Sequence, residues 1–239
     1  MITDVDVHVA EPTGTVKGGL VLIHEIWGLA DHIKDVADRL AAEGYLTYAP
    51  DILSRAGITP QIGSELQRLL NSPDEEERLT AQPTMRERTA PAHDPQYAEW
   101  AVPVLKEVVD DLVQRPEVQG RVGVLGFCFG GSYSFALAAA DDRVRAAVPF
   151  YGAPPDLEQL TEIRCPVLAI YGSEDERLMQ GLAAVQEKAA DAGIDLTTKI
   201  YGGAAHAFFN DTGARYDAVA AADAWKLTLD FLDRHVAGS

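Results

Sequence analysis

The chain has 239 residues, 47% hydrophobic and 24% charged, enough to bury a sizeable core without disulfide staples. Its formal net charge of −17 repels phosphate backbones and anionic bilayers, so neither a nucleic acid nor a membrane is an expected partner. Two cysteines, Cys128 and Cys165, make no disulfide framework, no apolar run spans a bilayer, and the first residues carry no basic-then-apolar leader, so a reduced, cytoplasmic setting is expected.

The opening alternates Val5, Val7 and Val9 with Asp4, Asp6 and His8, the pattern of a half-buried edge strand. Residues 18–24 are almost continuously apolar, as in a strand covered on both faces. Ile33, Val36, Ala37, Leu40 and Ala41 then recur at helical spacing, with Asp31 as the predicted N-cap and Gly44 as the stop. Residues 46–49 form the next predicted strand, ended by Pro50, and Asp51 is expected to serve a turn. Residues 53–95 are irregular, with several prolines, the acidic run from Asp74 to Glu77, and Arg78, Arg86 and Arg88. A helix or two and a loop are expected there, forming a cap or insertion over the sheet edge. Residues 96–113 read as a long helix that Pro103 should kink or delay. Beyond it the alternation is clean, with strands at 122–126, 146–151, 166–171 and 196–201 and helices at 130–140, 178–192 and 217–235. Alternating β and α elements predict an α/β fold, a mainly parallel sheet with helices on both faces, in one domain over 1–239.

The strongest local signal is Gly126-Phe127-Cys128-Phe129-Gly130-Gly131, between an apolar strand and an alanine-rich helix. It has the spacing of a nucleophile elbow, G-x-S-x-G, with cysteine in place of serine. Glycines two before and two after the nucleophile remove side chains that would collide across a tight turn. The helix N-terminus then faces the thiol and favours thiolate. A buried structural cysteine is the plainer reading, and the strand-then-helix context argues against it. A nucleophile needs a base and an orienting acid, which follow it in chain order in this architecture. The strand at 166–171 runs into Gly172-Ser173-Glu174-Asp175, which nominates Asp175, with Glu174 and Glu176 as neighbours. The strand at 196–201 runs into a small-residue loop that holds His206, the candidate base; His8, His32, His93 and His235 lie on an edge strand, on helices or in the irregular segment.

His24-Glu25-Ile26-Trp27-Gly28 lacks the second histidine of a zinc helix, and neither a metal nor another cofactor is expected. The end of that early strand is where such enzymes draw one oxyanion N–H, the other coming from the residue after the nucleophile, which nominates Ile26 and Phe129. Trp27 is read as a core or pocket-wall aromatic, and Cys165, before Pro166 at the far end of a strand, as structural.

These segments resemble the dienelactone hydrolases (carboxymethylenebutenolidases). The likeness lies in Glu25-Ile26-Trp27-Gly28, in residues 37–51 with Gly44-Tyr45 and Ala49-Pro50-Asp51, in the Gly126–Gly131 elbow, in Asp175, and in His206-Ala207-Phe208. The resemblance implies an α/β-hydrolase fold and a Cys-Asp-His triad of Cys128, Asp175 and His206. It also implies a carboxylate, here Glu25, that holds the resting thiol and takes its proton as substrate binds. The family's reference members carry a carboxylate-binding arginine four residues after the histidine, where this chain has Asn210. Arg86 and Arg88, with Trp27, Phe208 and Asn210, are the candidate pocket residues.

Cysteine also constrains the substrate. A thiol pKa of about 8.5 lies far below that of an alkyl alcohol, so thiolate would leave first from the tetrahedral intermediate of a plain alkyl ester. A small activated ester or an enol lactone is therefore the expected substrate, hydrolysed by a monomer or small homo-oligomer. The alternative is a carboxylesterase or thioesterase of the same fold acting on an unrelated small substrate.

Overall fold

The computed structural model describes residues 5–154 and 156–238. Strands β1 (Val7–Ala10), β2 (Gly18–Ile23), β3 (Tyr45–Pro50), β4 (Val122–Phe127), β5 (Val144–Phe150), β6 (Val167–Gly172) and β7 (Leu196–Tyr201) form one sheet in the order β1-β3-β2-β4-β5-β6-β7. Only β1 is antiparallel, pairing Val7 with Pro50 and Ala10 with Thr47 at one edge. The other five pairings are parallel. Strands β2, β3, β4 and β6 are buried at every residue, which is why they read as apolar runs, whereas the edge strand β7 is buried only at Tyr201.

The helices are α1 (Asp31–Ala42), α2 (Pro60–Leu70), α3 (Glu75–Thr89), α4 (Pro95–Gln114), α5 (Phe129–Ala140), α6 (Leu157–Leu160), α7 (Glu176–Asp191) and α8 (Ala218–His235). The unit β2-α1-β3 steps one way along the sheet and β4-α5-β5 the other. Right-handed crossovers therefore put α1 and α5 on opposite faces. Helix α4 packs beside α5, while α1 and α8 meet through Arg39, whose guanidinium lies 4.3 Å from the centre of the Trp225 ring. The reversal falls between β2 and β4, which pair from Gly19–Val122 to Ile23–Gly126. Ligands of open α/β sheets bind at the carboxyl ends of strands at such a switch point. Among the described residues no helix is long and apolar enough to cross a membrane.

Two expectations need correction, and the helix or two expected over residues 53–95 are present. Asp31 does not cap α1: the N-cap is Ala30, without a side-chain hydrogen bond, and Asp31 is the first helical residue, paired with Lys34 at 3.6 Å. Pro103 does not delay α4, because Pro95 occupies the first turn and the Asp94 carboxylate accepts the Gln96 N–H at 2.8 Å, so the start is well capped ahead of it. Residues 53–95 are mostly helical. Thr59 caps α2 with Pro60 behind it, and Asp74 caps α3 with Glu75, Glu76 and Glu77 in its first turn. That acidic run suits the positive end of a helix dipole.

Candidate active site

Cys128 sits at φ 56° and ψ −110° between β4 and α5, a conformation that costs a non-glycine residue on the order of 1–3 kcal/mol. The surroundings hold it there. Its N–H donates to the Phe150 carbonyl at 3.0 Å, and the Gly130 N–H donates to the His24 carbonyl at 3.0 Å, tying the elbow to β5 and to the end of β2. A Cβ on Gly126 would lie 2.3 Å from the Gly130 oxygen, and one on Gly130 would lie 2.1 Å from the Ile23 oxygen. The glycines are thus required by backbone-to-backbone contact.

Asp175 caps α7, accepting the Leu178 N–H, and its other carboxylate oxygen is hydrogen-bonded to His206 Nδ1. Glu174 and Glu176 are exposed. The loops carrying the two residues are stitched together: Ser173 N–H donates to the Tyr201 carbonyl at 2.9 Å, Glu174 N–H to the Ala204 carbonyl at 3.0 Å, and Gly203 N–H to Ser173 Oγ at 2.8 Å. Burial alone would raise the Asp175 pKa, but the hydrogen bond and charge of His206 hold it below the ordinary carboxylate value. Burial alone would lower His206; hydrogen bonds to Asp175 and Cys128, and the charges on both, outweigh it and push its pKa up to about 10.

Glu25 is 2% exposed. Burial pushes its pKa up to about 7, against the Asn210 hydrogen bond and the charge of His206, which pull it down. Asn210 Nδ2 donates to Glu25 Oε2 at 2.5 Å. Next to Glu25, the buried His24 ring bonds the Glu25 carbonyl through Nδ1 at 2.8 Å and accepts the Ile52 N–H on Nε2 at 3.1 Å. An acceptor on one nitrogen makes the other the donor, so His24 is neutral and its Nδ1 carries the proton. Burial, the largest influence on its pKa, likewise favours the neutral ring. The Ile26 and Phe129 N–H groups donate to no protein acceptor among the described residues. Phe129 opens α5, where N–H groups have no partner within the helix.

A cavity of about 610 Å³ opens over these groups. Its floor includes Glu25, Ile26, Trp27, Cys128, His206 and Asn210. Its roof is Gln67, Leu70 and Asn71 of the α2 end and Arg78, Gln82, Met85 and Arg86 of α3, with Arg215 at the side. Arg78 is committed to the Ser72 and Pro73 carbonyls at 2.6 and 2.9 Å, while Arg86 and Arg215 form no ion pair among the described residues. A shallower groove of about 390 Å³ lies along α3, between Leu69 and Thr84, and touches none of Cys128, Asp175 and His206.

Two expected pocket residues lie elsewhere. Arg88 is exposed and outside the cavity wall. Phe208 is fully buried behind it, its ring 5.7 Å from that of Tyr151 and 5.2 Å from that of Tyr201. Cys165 is buried ahead of β6, at the opposite ends of the strands from Cys128, and burial pushes its thiol up to about 12.

Sequence reasoning missed Tyr151, Arg215 and the role of His24. Tyr151 follows β5 with φ 38°, and its ring centre is 5.1 Å from that of His206. Its fully buried hydroxyl feels the charges of Glu25 and Cys128, while the Phe209 amide is in electrostatic reach but outside hydrogen-bonding geometry. The one available signal was its position, just past the strand next to the nucleophile strand.

The Dienelactone hydrolase family model matches residues 5–236. A protein named "Putative carboxymethylenebutenolidase" from Saccharolobus solfataricus is 33% identical over 244 residues, covering 91% of this chain and 90% of that protein. "Protein usf" of Aquifex pyrophilus is 31% identical, covering 91% of this chain and 88% of that one. The crystal structure of a "Putative Dienelactone Hydrolase" from Klebsiella pneumoniae superposes with a TM-score of 0.79 at 22% identity, over 98% of this chain and 100% of that one, a likeness of fold. With the family match running from residue 5 to residue 236, and an α/β-hydrolase sheet beneath it, this protein belongs to the dienelactone hydrolase family of hydrolases.

Proposed function

We propose that the chain hydrolyses small activated esters or enol lactones of the dienelactone type through a Cys128 acyl-enzyme. One observation carries the reading: a cysteine in a strained turn at a helix N-terminus, in electrostatic reach of a half-buried histidine that is itself hydrogen-bonded to a buried aspartate. The proton of the Cys128 thiol passes to Glu25 as substrate enters, and the thiolate attacks the carbonyl carbon. The Ile26 and Phe129 N–H groups receive the developing oxyanion, a contribution typically of about 3 kcal/mol per donor. The intermediate collapses with cleavage of the ester C–O bond, and the His206 imidazolium protonates the departing enolate or phenolate.

The thioester sulfur carries no charge and is a poor acceptor for the His206 N–H. Two of the influences that raise the His206 pKa are therefore lost on acylation, while burial, which lowers it, stays. His206 thereby becomes a base able to deprotonate the water that attacks the thioester, and Cys128 thiolate leaves. Asp175 keeps the ring oriented throughout. Helices α2 and α3 act as the cap of a single domain, and Arg86 and Arg215 supply the positive charge that an anionic substrate needs on a protein of net charge −17. The free thiols suit a reduced, cytoplasmic setting.

A second reading is favoured by Asn210 at the position of the family's carboxylate-binding arginine: an esterase or thioesterase for another small acyl group. Ring opening of cis- and trans-dienelactone, followed by ultraviolet absorbance beside cleavage of an aryl acetate, separates the two. Turnover of the lactones that vanishes in Cys128→Ala supports the first reading. Aryl acetate cleavage that depends on Cys128, with no lactone turnover, selects the second. No Cys128-dependent turnover of either removes both.

A further inference from the structure

Asn210 is more than a missing arginine, and its surroundings say what it does. Its Oδ1 accepts two hydrogen bonds from Thr212, from the backbone N–H at 3.0 Å and from Oγ1 at 2.6 Å. That fixes the amide: a flipped side chain would turn its NH₂ toward the Thr212 N–H and its oxygen toward a carboxylate. Nδ2 is therefore committed to Glu25 Oε2. The Thr212 hydroxyl spends its one proton on Asn210 and so accepts from its other neighbour, Gln67 Nε2 of α2, at 2.9 Å. Gln67, Thr212, Asn210 and Glu25 thus form a chain in which each donor points the same way, an order in which each bond polarises the next.

Helix α2 also touches both ends of this chain. Gly63 lies so close to the Trp27 carbonyl that a Cβ there would be 1.8 Å from the oxygen, two residues from Glu25. Asn71 Oδ1 accepts the Ala214 N–H at 3.4 Å, two residues from Thr212. The same helix forms part of the cavity roof.

We propose that Asn210 and Thr212 are positioning residues that hold the Glu25 carboxyl for proton exchange with the Cys128 thiol, and that Gln67 ties this hold to the seating of α2 over the pocket. The inference rests on the active-site reading above. The exchange needs no other reactant: the S–H bond breaks, an O–H bond forms on Glu25, and thiolate is left. The titratable groups in electrostatic reach of Glu25 are His206 and Tyr151, and Cys128, Arg78, Arg86 and Arg215 line the same cavity. Asn210 keeps the carboxylate accessible near neutral pH without neutralising it, as an arginine would. Thr212 is exposed, so water competes for its bond with Gln67, and the outer link is the weaker one.

The test is the pH dependence of Cys128 alkylation by iodoacetamide, which needs no substrate, measured on Thr212→Val, Thr212→Ser and Gln67→Leu with thermal melts alongside. Thr212→Val should move the acid limb to higher pH by about one pH unit, because a carboxylate with a weaker hydrogen bond ionises later. Thr212→Ser should restore the wild-type limb, and Gln67→Leu should shift it the same way by less. A limb unmoved in Thr212→Val, or moved equally in Thr212→Ser, overturns the proposal. Should Thr212→Val fail to fold, an unmoved limb in Gln67→Leu overturns it instead. A wild-type Cys128 that iodoacetamide does not alkylate at any pH refutes the active-site reading itself.

Discussion

The carboxyl edge of the sheet and the α2–α3 segment are built on different physics. At the edge, backbones touch backbones: Gly126, Gly130 and Gly172 would each place a Cβ within 2.3 Å of a carbonyl oxygen, and Cys128 and Tyr151 are held at positive φ. In α3, by contrast, only Ala81 and Thr89 are buried, and α2 is seated by one glycine contact and a few side-chain hydrogen bonds. Cys128 is therefore held by backbone contacts, while the roof over it rests on one glycine contact and side-chain hydrogen bonds. On the proposed function, chemistry belongs to the rigid part and selectivity to the soft part.

The sharpest way to break that contrast is Gly130→Ala. The new methyl has only the Ile23 and His24 carbonyls to displace, and neither can move without shearing β2 from β4. A loss of more than about 3 kcal/mol in denaturant unfolding is expected, beyond the usual 1–3 kcal/mol for overpacking. A small loss would show that the elbow is as yielding as the roof.

The rigid edge also has a stability cost, which Glu25→Gln should reveal. Glu25 ionises near 4.5 when unfolded and near 7 when buried, so between those values the folded state holds a proton that the unfolded state has released. Stability is full below about 4.5 and falls as pH rises to about 7, by up to about 3 kcal/mol for this one group. Glutamine removes that loss and can still accept from Asn210. The variant should gain up to about 3 kcal/mol over wild type at pH 8 and nearly nothing at pH 4, while losing thiol activation. An equal gain at both pH values would mean that the carboxyl is not held as described. Asn210→Arg acts on the same group with a smaller effect. A cation beside Glu25 lowers its pKa, so the acid limb of kcat/KM should move down by about one pH unit; an upward shift would contradict the assigned geometry.

What the sequence made legible follows the same division. Cys128, Asp175 and His206 could be named because each sits at the end of a strand whose apolar run is visible, and because the glycines around Cys128 mark backbone contact. Tyr151 was hidden for a through-space reason: at the end of an apolar strand it looks like any core aromatic, and only the β4–β5 pairing brings it to His206. His24 holds the Glu25 carbonyl because Ile52, 28 residues on, passes its other nitrogen. Helix α3 showed no apolar periodicity because it has almost no buried face, and Pro83 in its middle obscured it further. Arg215 lies in a loop after the last strand, where nothing in the sequence says which way a side chain turns.

The soft region supplies the smallest effect and a matched control. Arg86 lines the cavity, whereas Arg88, two residues along the same exposed helix, does not. Two positions apart on a helix point away from each other, so these arginines share composition, solvent exposure and long-range charge but differ in what they face. Arg86→Ala should raise KM about 10-fold for an ester carrying a carboxylate, the worth of roughly 1.4 kcal/mol, and leave both kcat and the cleavage of a neutral aryl acetate unchanged. Arg88→Ala should change neither by more than about 2-fold. Equal effects from the two would mean that the pocket responds to net charge alone, through a field that salt screens within about 10 Å. An effect of Arg86→Ala on kcat would place α3 in the chemistry and erase the distinction between roof and floor.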